Sequence, residues 1–231
     1  MSKRDQGASL TTYGEEGFVP EAVVNYLCLL GWSPKQNREI LPTKEVIQFF
    51  DLPQILRHNA RFDATKLQWL NGEYIRNMGF DRFLELAVGA LQRAGLPVAR
   101  FDGSYVRAAL ETCVGKIRQF SELAGYAGFY FSDEIGLDAE SLTKNLGPEE
   151  RSRLSRLRES FAKLEQFNAA SLEGTLKEVA KALGAKAGAL VHPCRFACTG
   201  KTSGPSLYHL LEVLGKDRVL QRIDRGIAMA G

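Results

Sequence analysis

The sequence lacks long apolar runs and is poor in cysteine. No apolar stretch approaches the roughly 20 residues that cross a bilayer, and the N-terminus carries charge without the apolar stretch of a signal peptide. Four cysteines in 231 residues do not make the disulfide framework of a small secreted protein, and free thiols suit a reducing cytosol. The sequence therefore predicts neither a membrane-spanning nor a secreted protein, and a cytoplasmic location is expected.

A large excess of one charge is also missing. The 30 basic and 27 acidic side chains leave a formal net charge of +3, which permits nucleic-acid binding without predicting it. Such binding depends on where the basic side chains cluster rather than on a small excess. The length suffices for one large domain or two small ones, each able to bury a core of its own.

Alternating strand patterns are nearly absent, whereas helical periodicity recurs along the chain. Pro20 suits the first position of a helix with one apolar face, and Gly31 can supply its left-handed cap. Thr43 and Asp63 can cap two further helices. The later apolar stripes show no repeat of fixed period. The sequence predicts an all-α fold, arranged as a bundle or cage.

Two side-chain groups in the later stripes have ordinary structural interpretations. The aromatic run Phe129-Tyr130-Phe131 could stack bases, but it is predicted to be core, as aromatic clusters in helical proteins usually are. The arginines that follow Pro148 alternate with glutamates and are predicted to form the exposed side of an amphipathic helix. These arginines are Arg151, Arg153, Arg156 and Arg158.

Three separated blocks resemble one protein family, in the family's order. Met1-Ser2-Lys3-Arg4 looks like the end of the lysine-rich ATP loop of class I aminoacyl-tRNA synthetases, and residues 17–32 look like its continuation in bacterial glutamyl-tRNA synthetases. Residues 62–76 resemble that family's junction between stem-contact and anticodon-binding regions, and residues 195–222 resemble its C-terminal end. The family pattern has another lysine before the methionine. The chain is therefore expected to begin inside the motif, as the C-terminal portion of a longer enzyme.

The resemblance implies four parts. Residues 1–14 would end the ATP loop of the catalytic domain, and residues 15–78 would form a stem-contact helical domain. Residues 79–170 and 171–231 would be the two subdomains of an α-helical anticodon-binding bundle, or helix cage. The stem-contact part would touch the inner elbow and stem of the tRNA, and the two subdomains would hold the anticodon loop.

The activity implied by the resemblance is ATP-dependent attachment of glutamate to its tRNA. Glutamate, ATP and Mg²⁺ would bind the nucleotide-binding domain outside this chain, so the chain alone is expected to hold no complete catalytic site and to be inactive. The implied partner is glutamate tRNA, with glutamine tRNA left open, and a monomer is expected. One alternative is a stand-alone, non-catalytic helical tRNA-binding or adaptor module derived from a synthetase. Another is a helical scaffold for a protein partner.

Ser2, Lys3 and Arg4 are the residues that the resemblance assigns to the ATP loop. A lysine on a mobile loop can follow the charge that builds on the departing pyrophosphate and stabilise the transition state more than the ground state. The alternative is a solvated basic N-terminus without a role. That alternative is the expectation for a chain without the nucleotide domain.

Lys116 takes the position, counted onward from Tyr105, at which glutamate-specific members of the family present an arginine toward the anticodon. RNA loops are recognised by stacking splayed bases on aromatic rings or guanidinium planes and by hydrogen bonds to base edges. Lysine lacks the planar fork of arginine, so discrimination between the glutamate and glutamine anticodons stays open. Arg118 could substitute if the helix is rotated. The alternative for both residues is a solvated helix face.

Arg195, Thr199 and Gly200 form the second predicted anticodon-binding group. A glycine lets the backbone approach a base closely, and a threonine hydroxyl can pair with a base edge. The alternative is a helix C-terminal turn whose glycine only ends the helix.

Two further patterns are rejected as sites. Gly200-Lys201-Thr202 resembles the tail of a phosphate-binding loop, but Arg195 stands where that loop needs a glycine. His192, Cys194 and Cys198 lack a fourth ligand, and no metal is predicted.

Overall fold

The computed structural model describes residues 10–34, 38–56, 61–137 and 139–229. These residues form helices joined by turns and loops, and none of them forms a strand, which confirms the predicted all-α fold. Ser2, Lys3 and Arg4 lie outside the described residues. The helices are α1 (Leu10–Glu15), α2 (Pro20–Gly31), α3 (Thr43–Phe49), α4 (Ala64–Asn77), α5 (Phe80–Arg93), α6 (Gly103–Glu111), α7 (Glu122–Ala127), α8 (Ala139–Asn145), α9 (Pro148–Ala162), α10 (Ala169–Ala182), α11 (Gly188–Thr199), α12 (Leu207–Leu214) and α13 (Lys216–Met229), with 3₁₀ turns at Leu52–Gln54, Val98–Arg100 and Gly128–Tyr130.

The chain divides into two units. The first comprises Met1–Leu96 and Cys113–Tyr126, and the second comprises Pro97–Thr112 and Ala127–Gly231. The segment that carries Lys116 and Arg118 thus belongs to the first unit, although α6 just before it belongs to the second. The narrower four-part division expected from the sequence stays a prediction.

The core of the first unit lies between α2 and α4. Tyr26 of α2 packs with Leu67 and Leu70 of α4, and Tyr13 and Phe18 complete this apolar cluster. Leu67 and Leu70 are three residues apart and therefore share one face of their helix. The buried stripe predicted for α4 is confirmed.

The ends of the helices test the capping predictions. Asp63 caps α4 as predicted, because its carboxylate accepts a hydrogen bond from the backbone N–H of Lys66 at 3.1 Å. The prediction for Thr43 is wrong, since Thr43 is the first residue of α3 and Pro42 precedes it without a side-chain cap. Gly31 ends α2 without a left-handed conformation, and Trp32 follows in extended backbone. The predicted left-handed cap at Gly31 is therefore also wrong.

The second unit is built from packed helices, among which α9 contacts α10, α11 and α13. Leu154, Leu157 and Phe161 of α9 are fully buried at helical spacing. Three of the arginines on the other faces of α9, Arg153, Arg156 and Arg158, form ion pairs, including Arg158 with Asp224 of α13 at 2.8 Å. The aromatic run 129–131 is buried, which confirms its predicted place in the core.

None of the helices formed by the described residues is long and apolar enough to cross a bilayer. The described residues also contain no group of three or more His, Cys, Asp or Glu side chains that could hold a metal ion. Cys194 and Cys198 are buried in α11, whereas His192 is exposed on the same helix.

Candidate nucleic-acid interface

Lys116 and Arg118 lie in a non-helical loop, which corrects the expectation that both are on a helix. Helix α6 ends at Glu111 and α7 begins at Glu122. Between them the chain turns through Gly115, whose φ of +68° is strained for residues with a side chain. Ile117 and Phe120 of this segment are buried. We call residues 112–121 the α6–α7 loop.

The α6–α7 loop is fixed to α4 by the fully buried side chain of Asn71. The Asn71 amide nitrogen donates to the backbone oxygen of Arg118 at 2.5 Å, and its oxygen accepts from the backbone N–H of Val19 at 2.9 Å. The backbone N–H of Phe120 donates to the oxygen of Gly17 at 3.0 Å. A buried amide with both ends paired specifies one arrangement of the chain. The loop is therefore held rigidly, with Lys116 and Arg118 on it.

Two glycines allow the loop to approach α4 closely. A Cβ added to Gly72 of α4 would lie 3.4 Å from Cγ of Arg118, and one added to Gly115 would lie 3.6 Å from Cγ of Arg76. The aliphatic part of Arg118 thus passes over α4 at a position without a side chain. Lys116 is exposed to solvent beside this contact.

An open pocket of about 440 Å³ lies where Arg118 meets the start of α4. Trp69 contributes an indole that is 40% exposed, and Lys66 donates to Glu39 at 2.6 Å. The exposed ring of Trp69 can stack an unpaired base, and the guanidinium of Arg118 can contact its phosphate. The ammonium of Lys66 is paired with Glu39, and Asp63 adds a second carboxylate to the lining. We call this cavity the α4 pocket. Its lining residues are Glu39, Asp63, Thr65, Lys66, Trp69 and Arg118.

Of the residues that line this pocket, sequence reasoning named only Arg118, as a candidate for anticodon binding, and missed Trp69 and Lys66. The available signal was periodicity, because Trp69 falls between Leu67 and Leu70 and off the buried stripe. A tryptophan outside the apolar face of an amphipathic helix is a candidate for binding.

The second predicted group lies at the C-terminal end of α11, in the second unit. Gly200 has φ +69°, and its N–H donates to the oxygen of Phe196 at 2.8 Å, which is a left-handed helix cap. A Cβ added to Gly200 would lie 2.9 Å from the backbone oxygen of Gly136. Glycine is therefore required here by both conformation and space. This agrees with the alternative that Gly200 ends the helix.

Thr199 is 5% exposed, so its hydroxyl does not face solvent. That hydroxyl donates to the oxygen of Arg195 at 2.7 Å and accepts from the N–H of Lys201 at 3.1 Å. Its hydrogen-bonding capacity is used within the turn. In this structure Thr199 shapes the turn and offers no free group to a base edge.

Arg195 is partly exposed and reaches the loop that follows α11. Its guanidinium donates to the backbone oxygen of Pro205 at 2.6 Å and passes Gly204 closely. The loop residues Lys201, Thr202 and Ser203 are exposed. We call residues 200–206 the α11 loop. This loop exposes an ammonium group, hydroxyls and backbone amides to solvent. The hydrogen bond from Arg195 to Pro205 fixes it to α11.

Two arginines of α13 hold the surroundings of the α11 loop, and the sequence analysis gave them no role. Arg222 is 4% exposed and donates to the backbone oxygens of Cys198, Phe129 and Ser132 at 2.7, 2.8 and 2.7 Å. Burial, together with the positive charge of Arg218, lowers the pKa of the Arg222 guanidinium. The only sequence signal was that Arg222 stands next to the buried Ile223.

Arg218 is the second of these α13 arginines and also belongs to the second unit. It donates to the hydroxyl of Tyr105 at 2.6 Å and to the backbone oxygen of Tyr130 at 3.1 Å. Its guanidinium carbon is 5.7 Å from the ring centre of Phe101 and 5.8 Å from that of Tyr105, within cation–π range. Arg218 therefore ties α6 to the aromatic run, and it has a structural explanation without a ligand.

Family models match both ends of the chain. Residues 82–227, more than half of it, match the model described as an anticodon binding domain. Residues 1–69 match the model of the catalytic domain of class I tRNA synthetases for E and Q.

Curated proteins similar to the chain include two glutamate-tRNA ligases. That of Moorella thermoacetica is 37% identical over 229 residues, which cover 97% of this chain and 47% of the ligase. That of Methylacidiphilum infernorum is 41% identical over 223 residues, which cover 96% of this chain and 50% of the ligase. The chain spans about half the length of the curated relatives it matches.

Solved structures give the same result. The crystal structure of a glutamate tRNA ligase from Elizabethkingia meningosepticum in complex with its amino acid has a TM-score of 0.83 at 27% identity, covering 94% of this chain and 42% of that chain. The glutamate-tRNA synthetase from Elizabethkingia anophelis has a TM-score of 0.79 at 26% identity, with the same coverage.

Proposed function

The chain belongs to the glutamyl-tRNA synthetase family of class I aminoacyl-tRNA synthetases, and on this basis we propose that it holds the tRNA during attachment of glutamate. The observation that carries the proposal is the α4 pocket, where the exposed ring of Trp69 stands beside Lys66 and Arg118. Stacking and phosphate contact are the two means by which proteins hold unpaired RNA.

The two units have different parts in this proposal. The first carries the α4 pocket and Lys116, which hold unpaired bases of the anticodon loop, and its remaining helices touch the inner stem and elbow of the tRNA. The second grips the anticodon loop with Arg195 and the α11 loop. Thr199 and Gly200 contribute by fixing the turn, because the hydroxyl of Thr199 is already paired inside it.

The chemical step belongs to the whole ligase. ATP and Mg²⁺ would be held by the nucleotide-binding part and would supply the activation of glutamate, and Lys3, with Ser2 and Arg4 beside it in the ATP loop, would contact the departing pyrophosphate. The chain by itself is a monomer in the cytoplasm, without ligase activity. Its partner is glutamate tRNA, and glutamine tRNA is the competitor against which its specificity is measured.

The first prediction is that the purified chain binds glutamate tRNA with an affinity that falls linearly with ionic strength on a logarithmic plot. Each phosphate contact releases counterions, so contacts by Lys116, Arg118 and Arg195 each steepen the slope. Filter binding or fluorescence anisotropy over a salt series measures it. Lys116→Ala and Arg195→Ala are expected to weaken binding and flatten the slope.

The control for this titration is Lys186→Ala, which removes an exposed lysine that precedes α11, whereas the α11 loop follows the other end of that helix. It should leave affinity and slope unchanged. A chain with no tRNA affinity at any salt concentration would instead be the helical scaffold considered from the sequence, and the proposal would fail.

The second prediction concerns stacking in the α4 pocket. Trp69→Ala is expected to weaken tRNA binding by about 1–3 kcal/mol, the usual loss when a stacked base loses its aromatic platform. Trp69→Phe keeps a flat ring and should retain most of the affinity. Trp69 is 40% exposed, so Trp69→Ala also loses some packing, and thermal unfolding of each variant shows that the chain is folded at the temperature of the titration. Equal tRNA affinity of the alanine variant and the parent chain would remove the pocket from the interface.

A further inference from the structure

The α4 pocket has a balance of charge that differs from what RNA binding alone requires. Among the described residues, two carboxylates line the pocket together with two cations. The carboxylates belong to Glu39 and Asp63, and the cations are Lys66 and Arg118. Oε1 of Glu39 lies 2.6 Å from Nζ of Lys66. Because cations hold RNA phosphates, one of the two cations in this pocket is already paired within the protein.

The segment that carries Glu39 is held in place by groups other than Lys66. Leu41, two residues further along the chain, is 1% exposed. Its N–H donates to the side-chain oxygen of Asn25 at 2.8 Å, and its backbone oxygen accepts from the Tyr74 hydroxyl at 2.6 Å. An ion pair between partly exposed side chains adds little to folding. Stability therefore does not explain why a carboxylate pairs with the lysine of this pocket.

Lys66 is placed where both a carboxylate and an RNA phosphate can use its charge. Its backbone N–H donates to the Asp63 carboxylate at 3.1 Å, which fixes the first turn of α4. Trp69 follows three residues later and therefore shares a helix face with Lys66. The lysine ammonium has three donors on a flexible four-carbon chain. RNA that enters the pocket thus competes with Glu39 for the same ammonium group.

We propose that Glu39 is a specificity-determining residue, because it keeps Lys66 paired and makes the α4 pocket favour an unpaired nucleotide over a phosphate backbone alone. The proposal rests on RNA binding by the α4 pocket. A nucleotide whose base stacks on Trp69 has its phosphate at Arg118 and gains little from a second cation. Paired RNA offers no free base face to Trp69, so it depends on phosphate contacts. Specificity then arises from weakening the unwanted complex.

Glu39→Gln tests this role, since glutamine keeps the size of the side chain and removes its charge. The purified chain is titrated with glutamate tRNA and with a fully paired RNA duplex. Affinity for the duplex is expected to rise about fivefold, as for one new pair of unit charges about 4 Å apart in water. The slope of its salt dependence should steepen by about 0.7–0.9, the contribution of one phosphate contact. Affinity for the tRNA should rise by less than about twofold, so the preference for tRNA falls.

Glu45→Gln is the matched control for Glu39→Gln. The Glu45 carboxylate pairs with Arg38 at 2.7 Å and is also partly exposed. The variant therefore removes the same charge and breaks a similar ion pair in the same unit, at a residue that does not line the α4 pocket. It should leave the ratio of tRNA affinity to duplex affinity unchanged. If Glu39→Gln also leaves this ratio unchanged, the proposal is overturned.

A double variant shows whether the effect comes from Lys66. Lys66→Ala in the parent chain should change duplex affinity little, because the ammonium is paired with Glu39. Lys66→Ala combined with Glu39→Gln should remove the fivefold gain, which is the coupling that a double-mutant cycle measures. A gain that survives in the double variant would not come from the ammonium group, and it would reject the proposed role of Glu39.

Trp69→Ala distinguishes failure of this proposal from failure of RNA binding by the α4 pocket. If the pocket does not bind RNA, neither Trp69→Ala nor Glu39→Gln changes tRNA or duplex affinity, and both proposals fail. If the pocket binds RNA but Glu39 has no part in its specificity, Trp69→Ala weakens tRNA binding while Glu39→Gln leaves both affinities as they are. The proposal requires that both variants act, the first on tRNA and the second on the duplex.

Discussion

Replacing Arg222 by methionine is expected to destabilise the second unit by about 2–6 kcal/mol, since the buried carbonyl oxygens of Cys198 and Phe129 each lose a charged donor at a cost of about 1–3 kcal/mol. The third acceptor, the part-buried oxygen of Ser132, keeps a hydrogen bond from Arg218. Methionine fills much of the volume but donates no hydrogen bond. Urea unfolding followed by circular dichroism measures the change.

Arg225→Met is the matched control for Arg222→Met, because Arg225 is on the same helix and exposed. Its effect should stay within about 0.5 kcal/mol, as for most surface substitutions. Arg222→Lys keeps the charge but lacks the fork that reaches several acceptors, so an intermediate loss is expected. If Arg222→Met and Arg225→Met unfold at the same urea concentration, the three hydrogen bonds do not stabilise the second unit.

The helices could be predicted because their signals are local. Pro148 at the start of α9 and the spacing of Leu154, Leu157 and Phe161 require only that residues three and four apart share a face. The glycines that follow α10 and α12 are local signals of the same kind, since Gly184 and Gly215 have positive φ. The cap predicted at Thr43 was wrong, because α3 already begins at Thr43 and Pro42 takes the cap position.

The α6–α7 loop could not be predicted because its causes are remote in sequence. Asn71 holds the backbone of Arg118 across 47 positions and that of Val19 across 52. The local sequence alone predicts that the helix of residues 105–113 continues to Lys116, because it carries no sign of these distant hydrogen bonds. The loop nevertheless leaves the helix, because Ile117 and Phe120 are buried in the first unit. The predicted residues Lys116 and Arg118 are exposed, but on a different support from the one expected.

The α11 turn shows a second limit of sequence reasoning. The same residues, Thr199 and Gly200, suit a base-binding loop and a helix cap, and the choice depends on burial. The structure places the Thr199 hydroxyl inside the turn. Arg195 and the exposed α11 loop remain as the groups that can reach RNA, which is why the predicted variants there concern Arg195.

Gly17→Ala is expected to destabilise the first unit by about 3 kcal/mol. The φ of Gly17 is +84°, a conformation that costs other residues roughly 1–2 kcal/mol. An added Cβ would also lie 2.5 Å from the backbone nitrogen of Ser121 and 2.8 Å from that of Phe120, and relieving such overlap costs a further 1–3 kcal/mol, approximately. Because these contacts are with backbone, no flexible side chain can move aside. The α6–α7 loop itself must shift.

The displacement of that loop gives Gly17→Ala a functional consequence as well. The N–H of Phe120 donates to the oxygen of Gly17, so moving the loop moves Arg118 away from Trp69, and tRNA affinity should fall together with stability. Gly14→Ala is the control, because its added Cβ meets nothing within 4 Å and alanine favours the helix in which it lies. Urea unfolding and tRNA titration on both variants decide the matter. Full affinity in a Gly17→Ala chain that is clearly destabilised would show that the loop's position does not matter for RNA, and that the α4 pocket acts without Arg118.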